Sequence, residues 1–191
     1  GWDTSGVSTM ESMFGSAKAY NQPLTFDTSS VVSMSQLFYH AMAFNRPLAL
    51  DTASVTGMDQ MFQGAVAFNQ PLAFDTGSVT TMGLMFYDMD RGPGGTVENP
   101  TFNTYFSQPL AFDTSSVTAM YSMFAGSGGY ASAFAGTLDF DTASVVTMLS
   151  MFNNADAFNS DLDTFDTSAV TSMDQMFHDT AVFNRALAWD T

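Results

Sequence analysis

Cysteine is absent from this 191-residue sequence, and basic residues are scarce, with 4 Lys and Arg against 19 Asp and Glu. The lack of cysteine excludes disulfide bonds and thiolate metal sites. The formal net charge of −15 repels nucleic acid and anionic membranes, so we expect neither as a partner. No apolar run approaches the roughly 20 residues that a membrane-spanning helix requires, so we expect no membrane insertion by this segment.

The residue combinations of common active sites are also missing. The chain has 2 histidines, His40 and His178, which lie far apart in the sequence. Aspartate and serine are abundant, but they belong to a repeating pattern rather than to one unique cluster. We find no glycine-rich phosphate loop after a strand and no basic patch. The sequence therefore predicts a protein that is not an enzyme and holds no cofactor, with Ca²⁺, considered below, as the one exception.

What the sequence does contain is a single unit repeated seven times. Its marker is the dipeptide Asp-Thr, which recurs at spacings of 24, 24, 24, 38, 28, 25 and 24 residues. Two slots in each unit collect 13 of the 15 methionines, and three slots collect 18 of the 19 phenylalanines. Apolar residues that return at fixed positions indicate units that stack, so that each slot forms a continuous column. With 46% apolar residues, such columns can form a sizeable core.

Each unit contains the patterns of two short elements. Four apolar residues spaced i, i+3, i+4 and i+7 predict a short helix: Met10, Met13, Phe14 and Ala17. Ser8 and Glu11 resemble a capping pair at its start. The alternation of apolar and polar residues over Leu24–Phe26 predicts a short strand, and the Asp-Thr-Ser that follows is typical of a turn.

These elements predict an α/β solenoid of about seven repeats, with short parallel strands on one face and short helices on the other. We expect one repeat domain over residues 1–191, interrupted by insertions at 87–106 and 125–136. An all-helical pair repeat is the alternative, but a unit of this length leaves little room for two helices.

The repeat resembles a known family. The phrase L-x-F-D-T-S-S-V-T-x-M-x-x-M-F, seen at Leu110–Phe124, is similar to the leucine-rich repeats of BspA-like surface proteins. It is closer still to a repeat of unknown function in mycoplasma surface lipoproteins, of which F-N-Q-P-L, seen at Phe68–Leu72, is typical. The resemblance implies a leucine-rich-repeat-like fold at a cell surface, and it implies no activity.

The aspartates of the Asp-Thr dipeptides are candidate metal ligands. The predicted stacking places six of them in one column: Asp27, Asp51, Asp75, Asp113, Asp141 and Asp166. Neighbouring charges about 5 Å apart repel by roughly 1 kcal/mol in water, so something must offset the repulsion. We favour carboxylates that accept backbone N–H groups of the following turn. The alternative is Ca²⁺ shared between neighbours, which would use the same carboxylate oxygens.

A second polar column lies two residues before a proline in four of the seven units. It contains five asparagines, with serine and alanine in the two remaining units: Asn21, Asn45, Asn69, Ser107, Ala135, Asn159 and Asn184. Sugar binding would be a functional interpretation. We favour a buried asparagine ladder that satisfies backbone groups of the loop.

The two insertions are the best candidates for a specific binding site. They enlarge the same connection in adjacent units, so we expect them to be neighbours, and loops on a rigid scaffold often carry function. The candidate binding residues are three acidic and two aromatic side chains: Asp88, Asp90, Glu98, Tyr105 and Tyr130. The fragment Asp88-x-Asp90 is a weak calcium signal, because the rest of the EF-hand pattern is missing.

The sequence therefore favours a non-enzymatic structural or adhesive protein, extracellular or at the cell surface, that acts as a rod or as a filament or surface-layer component. The alternative is a module that binds a glycan, a protein or Ca²⁺ through the insertions. Neither end of the chain carries an atypical polar repeat. We expect either a longer array or copies that associate end to end, unless Trp2 and Trp189 cover the ends. Other surface proteins or glycans are the other expected partners.

Overall fold

The computed structural model describes residues 2–88, 106–127 and 132–189. Within these ranges the chain forms no helix, and its only β structure is a set of isolated single-residue bridges. The predicted α/β, leucine-rich-repeat-like solenoid, with a helix and a strand in each repeat, is therefore wrong. Since it has no helix, this part of the chain also has none that is long and apolar enough to cross a membrane.

Overlapping turns stand where the helices were predicted. They cover seven segments: 11–16, 35–40, 59–64, 83–86, 121–124, 149–154 and 174–179. Counted from one Asp-Thr to the next, these lie in the first to seventh repeats: 3–26, 27–50, 51–74, 75–112, 113–140, 141–165 and 166–189. In the first repeat, the Met13 N–H donates to the Met10 carbonyl, three residues earlier. The third residue of that turn is left-handed, with φ of 54° at Ser12, and the next turn repeats this with φ of 58° at Ser16. A left-handed residue reorients the following peptide plane, so a continuous helical ladder cannot form.

The backbone N–H groups that form no hydrogen bond within the turns donate to the next repeat. Four backbone N–H groups of the first repeat donate to four carbonyls of the second, at N···O distances of 2.6–3.1 Å. The donors are Met10, Ser12, Phe14 and Ser16, and the acceptors are Ser33, Ser35, Leu37 and Tyr39. The equivalent four bonds occur at all six junctions between repeats, including the junction between the two repeats with insertions. The backbone of a repeat is thus satisfied only when its neighbours are in place.

Parallel pairing between repeats exists, but not along the predicted strand. Single bridges join one residue of each repeat, directly before the first methionine slot: Thr9, Ser33, Gly57, Thr81, Ala119, Thr147 and Ser172. The predicted strand Leu24–Phe26 contains no bridge. In that column, Leu110 and Leu138 form the single bridge among the described residues.

Two columns of stacked rings form the centre of the core. Rings of the first column lie 5.6–5.7 Å apart: Phe14, Phe38, Phe62, Phe86, Phe124, Phe152 and Phe177. Rings of the second lie 5.8–6.3 Å apart: Tyr20, Phe44, Phe68, Phe106, Phe134, Phe158 and Phe183. Buried methionines such as Met34, Met58 and Met82 pack beside them. The predicted core of stacked methionine and aromatic columns is confirmed.

The buried threonine of each Asp-Thr dipeptide links its repeat to the next one. Its hydroxyl donates to the backbone carbonyl of the next repeat's aspartate, at 2.7–2.9 Å, in five repeats: Thr4, Thr28, Thr52, Thr114 and Thr142. Thr76 is different. Its hydroxyl is equally buried but has no hydrogen-bond partner among the described residues.

This difference makes Thr52 and Thr76 a matched pair for mutation. Thr52→Val removes the hydrogen bond to the Asp75 carbonyl, so we expect the free energy of unfolding to fall by about 1–2 kcal/mol. Thr76→Val removes a buried hydroxyl without a partner, so we expect a gain of about 1 kcal/mol. Urea denaturation of both variants measures the two changes. Equal destabilisation by both substitutions would contradict the assignment.

Candidate functional site

The aspartate column lies along one exposed edge of the stack. It includes a member in the first repeat in addition to the six predicted: Asp3, Asp27, Asp51, Asp75, Asp113, Asp141 and Asp166. Each carboxylate accepts the backbone N–H two residues later, at 2.8–3.2 Å. Each aspartate thus caps the turn that follows it, which is the role that the sequence favoured.

Serine in the following turn strengthens the cap. The hydroxyls of Ser5, Ser29 and Ser115 donate to the same carboxylates at 2.6–2.7 Å. Hydrogen bonds from the serine side chain, and then from its backbone, lower the pKa of four aspartates below 3.8: Asp3, Asp27, Asp113 and Asp166. Because the pKa is lower in the folded chain, these caps stabilise the fold above about pH 3.8, and the contribution is lost as pH falls through the lowered values.

The capped edge supplies one carboxylate per repeat, whereas a Ca²⁺ site needs several oxygen ligands that converge. Among the described residues, no group of three or more His, Asp or Glu side chains is arranged to hold a metal ion. We therefore predict that millimolar Ca²⁺ raises the melting temperature no more than the same concentration of Mg²⁺. A larger, saturable rise that is abolished by Asp51→Asn together with Asp75→Asn would establish shared calcium sites instead.

The two insertions begin at neighbouring points of the stack. Asp88 in the fourth repeat and Gly126 in the fifth form a parallel bridge, and the Asp88 N–H donates to the Ala125 carbonyl at 2.9 Å. At the same position, repeats without an insertion have a second left-handed turn residue, such as His40 or Asn154. The prediction that the insertions are neighbours is confirmed at these roots.

Asp88 is the one predicted binding residue of the insertions that the structure describes. It is 5% exposed and lines a cavity of about 30 Å³ with Gly64, Tyr87 and Ser132. Burial, and then the charge of Asp88, raises the pKa of the Tyr87 hydroxyl. A cavity of this size holds no more than one or two water molecules. The other four predicted residues lie outside the described ranges: Asp90, Glu98, Tyr105 and Tyr130.

The asparagine column forms a ladder between loops. The Asn21 side-chain oxygen accepts the backbone N–H of Asn45 at 3.1 Å, and Asn45 accepts that of Asn69 in the same way. Where Ser107 replaces asparagine, its hydroxyl accepts the Ala135 N–H at 3.1 Å. The asparagines satisfy backbone groups of the neighbouring repeat, as the sequence favoured, although they are half-buried or exposed rather than buried.

One polar cluster was missed in the sequence. Asp59 accepts the Gly83 N–H at 2.8 Å and the Thr81 hydroxyl at 2.5 Å, which links the third and fourth repeats. The Tyr121 ring lies across Gly83, where an added Cβ would be 2.3 Å from the ring. Burial, and then the charge of Asp59, raises the pKa of the Tyr121 hydroxyl. Asp59, Gly83 and Tyr121 occupy the same position in successive repeats. The sequence pointed to this cluster only in that the residue type at this position varies between repeats, whereas the core positions do not vary.

The comparisons with known proteins give one family. The family model described as "Mycoplasma protein of unknown function, DUF285" matches residues 1–93 and 97–191. Two matches in tandem support a mycoplasma-type repeat protein, but not a BspA-like leucine-rich repeat in particular. No curated protein and no solved structure matches the chain.

Proposed function

Since this chain belongs to the family of Mycoplasma proteins of unknown function DUF285, we propose that it is a non-enzymatic, extracellular structural or adhesive protein. In this role it acts as a rod or as a component of a filament or surface layer. The resemblance of its repeat to that of mycoplasma surface lipoproteins supports the extracellular location.

The even distribution of polar groups along the stack carries this proposal. The aspartate caps, the buried threonines and the asparagine ladder recur from repeat to repeat, and the hydrogen bonds of the threonines and asparagines join neighbouring repeats. The two histidines stay apart, His40 in the second repeat and His178 in the seventh, where His178 pairs with the exposed Asp179 at 3.2 Å. Such a chain supplies length and a repeated surface rather than one reactive centre.

Protease treatment of intact cells that express the protein tests the proposed location. We expect an externally added protease to remove the protein from intact cells, while a cytoplasmic marker protein stays uncut. Beads coated with the purified chain should also bind cell-surface preparations more than beads coated with a protein of equal net charge. Protection of the protein until the cells are lysed would contradict the proposal.

A second function, ligand binding through the insertions, is favoured by the bridge between Asp88 and Gly126, which brings the insertion roots together. A variant in which both insertions are shortened to the length of an uninterrupted repeat separates the two functions. A rod keeps its stability and adhesion, whereas a receptor loses binding on a glycan array. Shortening one insertion at a time is the control, since a shared site requires both.

A further inference from the structure

Tyr121 is the one aromatic residue in its column, which lies on the outer side of the stack. The other repeats have acidic, small or aliphatic residues at this position: Glu11, Ser35, Asp59, Gly83, Leu149 and Asp174. Tyr121 belongs to neither aromatic column, and it stands outside the hydrophobic core of the described residues. The packing that holds the repeats together therefore does not explain this tyrosine.

The Tyr121 ring lies across the backbone of the preceding repeat, and Gly83 provides the space for it. A Cβ added at Gly83 would be 2.3 Å from Cε1 and Cζ of the ring and 2.8 Å from its hydroxyl oxygen. Gly83 has no positive φ, so glycine is required at this point for space and not for backbone conformation. The ring is half-buried on this seat, and the rest of its surface faces solvent.

A fixed carboxylate lies beside the hydroxyl end of the ring. Asp59 accepts the Gly83 N–H at 2.8 Å and the Thr81 hydroxyl at 2.5 Å, and these two bonds hold its orientation. The Tyr121 hydroxyl, in contrast, has no hydrogen-bond partner within the ranges that the structure describes. One edge of the ring therefore presents a hydroxyl and a carboxylate to solvent.

An amide donor ends a ladder of side chains next to this edge. The Ser12 hydroxyl donates to Oε1 of Gln36 at 2.8 Å, and Nε2 of Gln36 donates to Oε1 of Gln60. The next residue in this column is Leu84, whose side chain cannot accept a hydrogen bond. Nε2 of Gln60 thus has no acceptor among the described residues, and it is free to donate to a ligand.

Aliphatic side chains surround the rest of the ring. Leu84 is half-buried beside Gly83, while Leu149 and Val146 in the sixth repeat are 39% and 43% exposed. All three stand outside the hydrophobic core of the described residues. The surface at Tyr121 is therefore apolar in the middle and polar at one edge, which is typical of a recognition surface.

We propose that Tyr121, Asp59 and Gln60 form a binding site for a neutral glycan. A pyranose ring has an apolar face of C–H bonds, which packs on the Tyr121 ring, and hydroxyl groups around its rim. Those hydroxyls accept a hydrogen bond from Nε2 of Gln60 and donate to the Asp59 carboxylate. This inference rests on the adhesive form of the proposed function and names its ligand class.

Charge and shape favour a neutral glycan over other ligands. The net charge of −15, with Asp59 in the site, repels anionic glycans and nucleic acid. A protein partner commonly covers about 800 Å² of each surface. Here the apolar area is one ring with three aliphatic side chains, and nearby threonines such as Thr80 and Thr118 already donate within the stack. An outer face of this kind suits one unit of a polysaccharide chain.

Retention of the purified chain on immobilised polysaccharides tests the proposal. The neutral probes are starch, dextran, laminarin and mannan, with hyaluronan as the anionic probe and gelatin as the protein probe. We expect binding to at least one neutral polysaccharide, and none to hyaluronan or gelatin. Tyr121→Ala should weaken that binding about tenfold or more, whereas Tyr121→Phe keeps the ring and should stay within about threefold of the wild type.

Two further variants test the seat and the amide. Gly83→Ala leaves the tyrosine in place but displaces its ring, so it should weaken binding about as much as Tyr121→Ala. Gln60→Leu removes the free donor and should weaken binding about fivefold. Tyr39→Ala is the matched control, because it removes a half-buried tyrosine of the second repeat, and it should bind as the wild type does. Melting temperatures verify that every variant is folded.

Several outcomes would overturn this site. They are the absence of binding to all four neutral probes, equal binding to hyaluronan or gelatin, and equal loss with Tyr39→Ala. Binding that survives Tyr121→Ala but is lost when both insertions are shortened would place the glycan at the insertions instead. Protease treatment of intact cells reports the location of the protein independently, so the proposed surface location and this site fail separately.

Discussion

Phe152→Ala should lower the free energy of unfolding by about 3–5 kcal/mol, because it removes a fully buried ring and leaves a cavity in the core. The Phe152 ring lies 4.0 Å from that of Phe158 in its own repeat. It also stacks between Phe124, at 5.7 Å, and Phe177, at 5.6 Å, in the adjoining repeats. The substitution thus removes contacts on both sides of one repeat, and the column has no spare side chain to fill the gap.

Urea denaturation of the variant provides the measurement, with Leu149→Ala as the control. Leu149 belongs to the same repeat but is 39% exposed, so its truncation should change stability by less than about 0.5 kcal/mol. A midpoint for Phe152→Ala that shifts as little as the control would mean that the ring columns are not the core. A reduced slope would instead show that the sixth and seventh repeats unfold separately.

The sequence predicted which side chains of each repeat face the core, but it did not predict the conformation of the backbone. The spacing of Met10, Phe14 and their equivalents correctly indicated side chains that share one face. A chain of overlapping turns gives the same i, i+3, i+4, i+7 spacing as a helix, so periodicity alone cannot separate them. The left-handed residues decide the outcome, and glutamine at Gln36 or leucine at Leu84 gives no sequence signal for a positive φ.

The predicted capping pair fails for a related reason. With no helix to cap, the threonine hydroxyls in the Ser8 column bind the preceding repeat instead, as where the Thr56 hydroxyl donates to the Val32 carbonyl at 3.2 Å. Local motifs assume a local partner. In this stack most partners lie one repeat away, about 24 residues along the chain. The repeating pattern predicted the columns of side chains correctly, whereas it could not predict which backbone groups form hydrogen bonds between neighbouring repeats.

In the candidate site too, hydrogen bonds within a repeat were predictable, whereas those between repeats were not. The aspartate caps were predictable because an Asx turn is local, and Asp27 binds the Ser29 N–H two residues away. The threonine bonds were not predicted, although Asp-Thr was the clearest repeat in the sequence. Their acceptors are carbonyls of the next repeat, such as Asp51 for Thr28, whose direction depends on the stack. Burial of the threonine, rather than its recurrence, reveals its role.

Deletion of one complete repeat should be tolerated far better than deletion of half of one. Removal of residues 27–50 joins Phe26 to Asp51 in phase, so the donors of the first repeat meet the acceptors of the third. At 0.05–0.15 kcal/mol per residue, we expect a loss of roughly 1–4 kcal/mol and cooperative unfolding. Removal of residues 27–38 takes out half as many residues, but it joins Phe26 to Tyr39 and removes the Met34, Leu37 and Phe38 slots.

Amide hydrogen exchange distinguishes the two deletions, because it reports the junction bonds one by one. In the in-phase variant, the N–H groups of Met10, Ser12 and Phe14 gain the carbonyls of the third repeat and stay protected. In the out-of-phase variant the same groups lose their acceptors, and each buried group left unpaired costs about 1–3 kcal/mol. The first repeat then cannot stack, and its amides should exchange freely. Equal protection in the two variants would show that register between repeats does not hold the fold together.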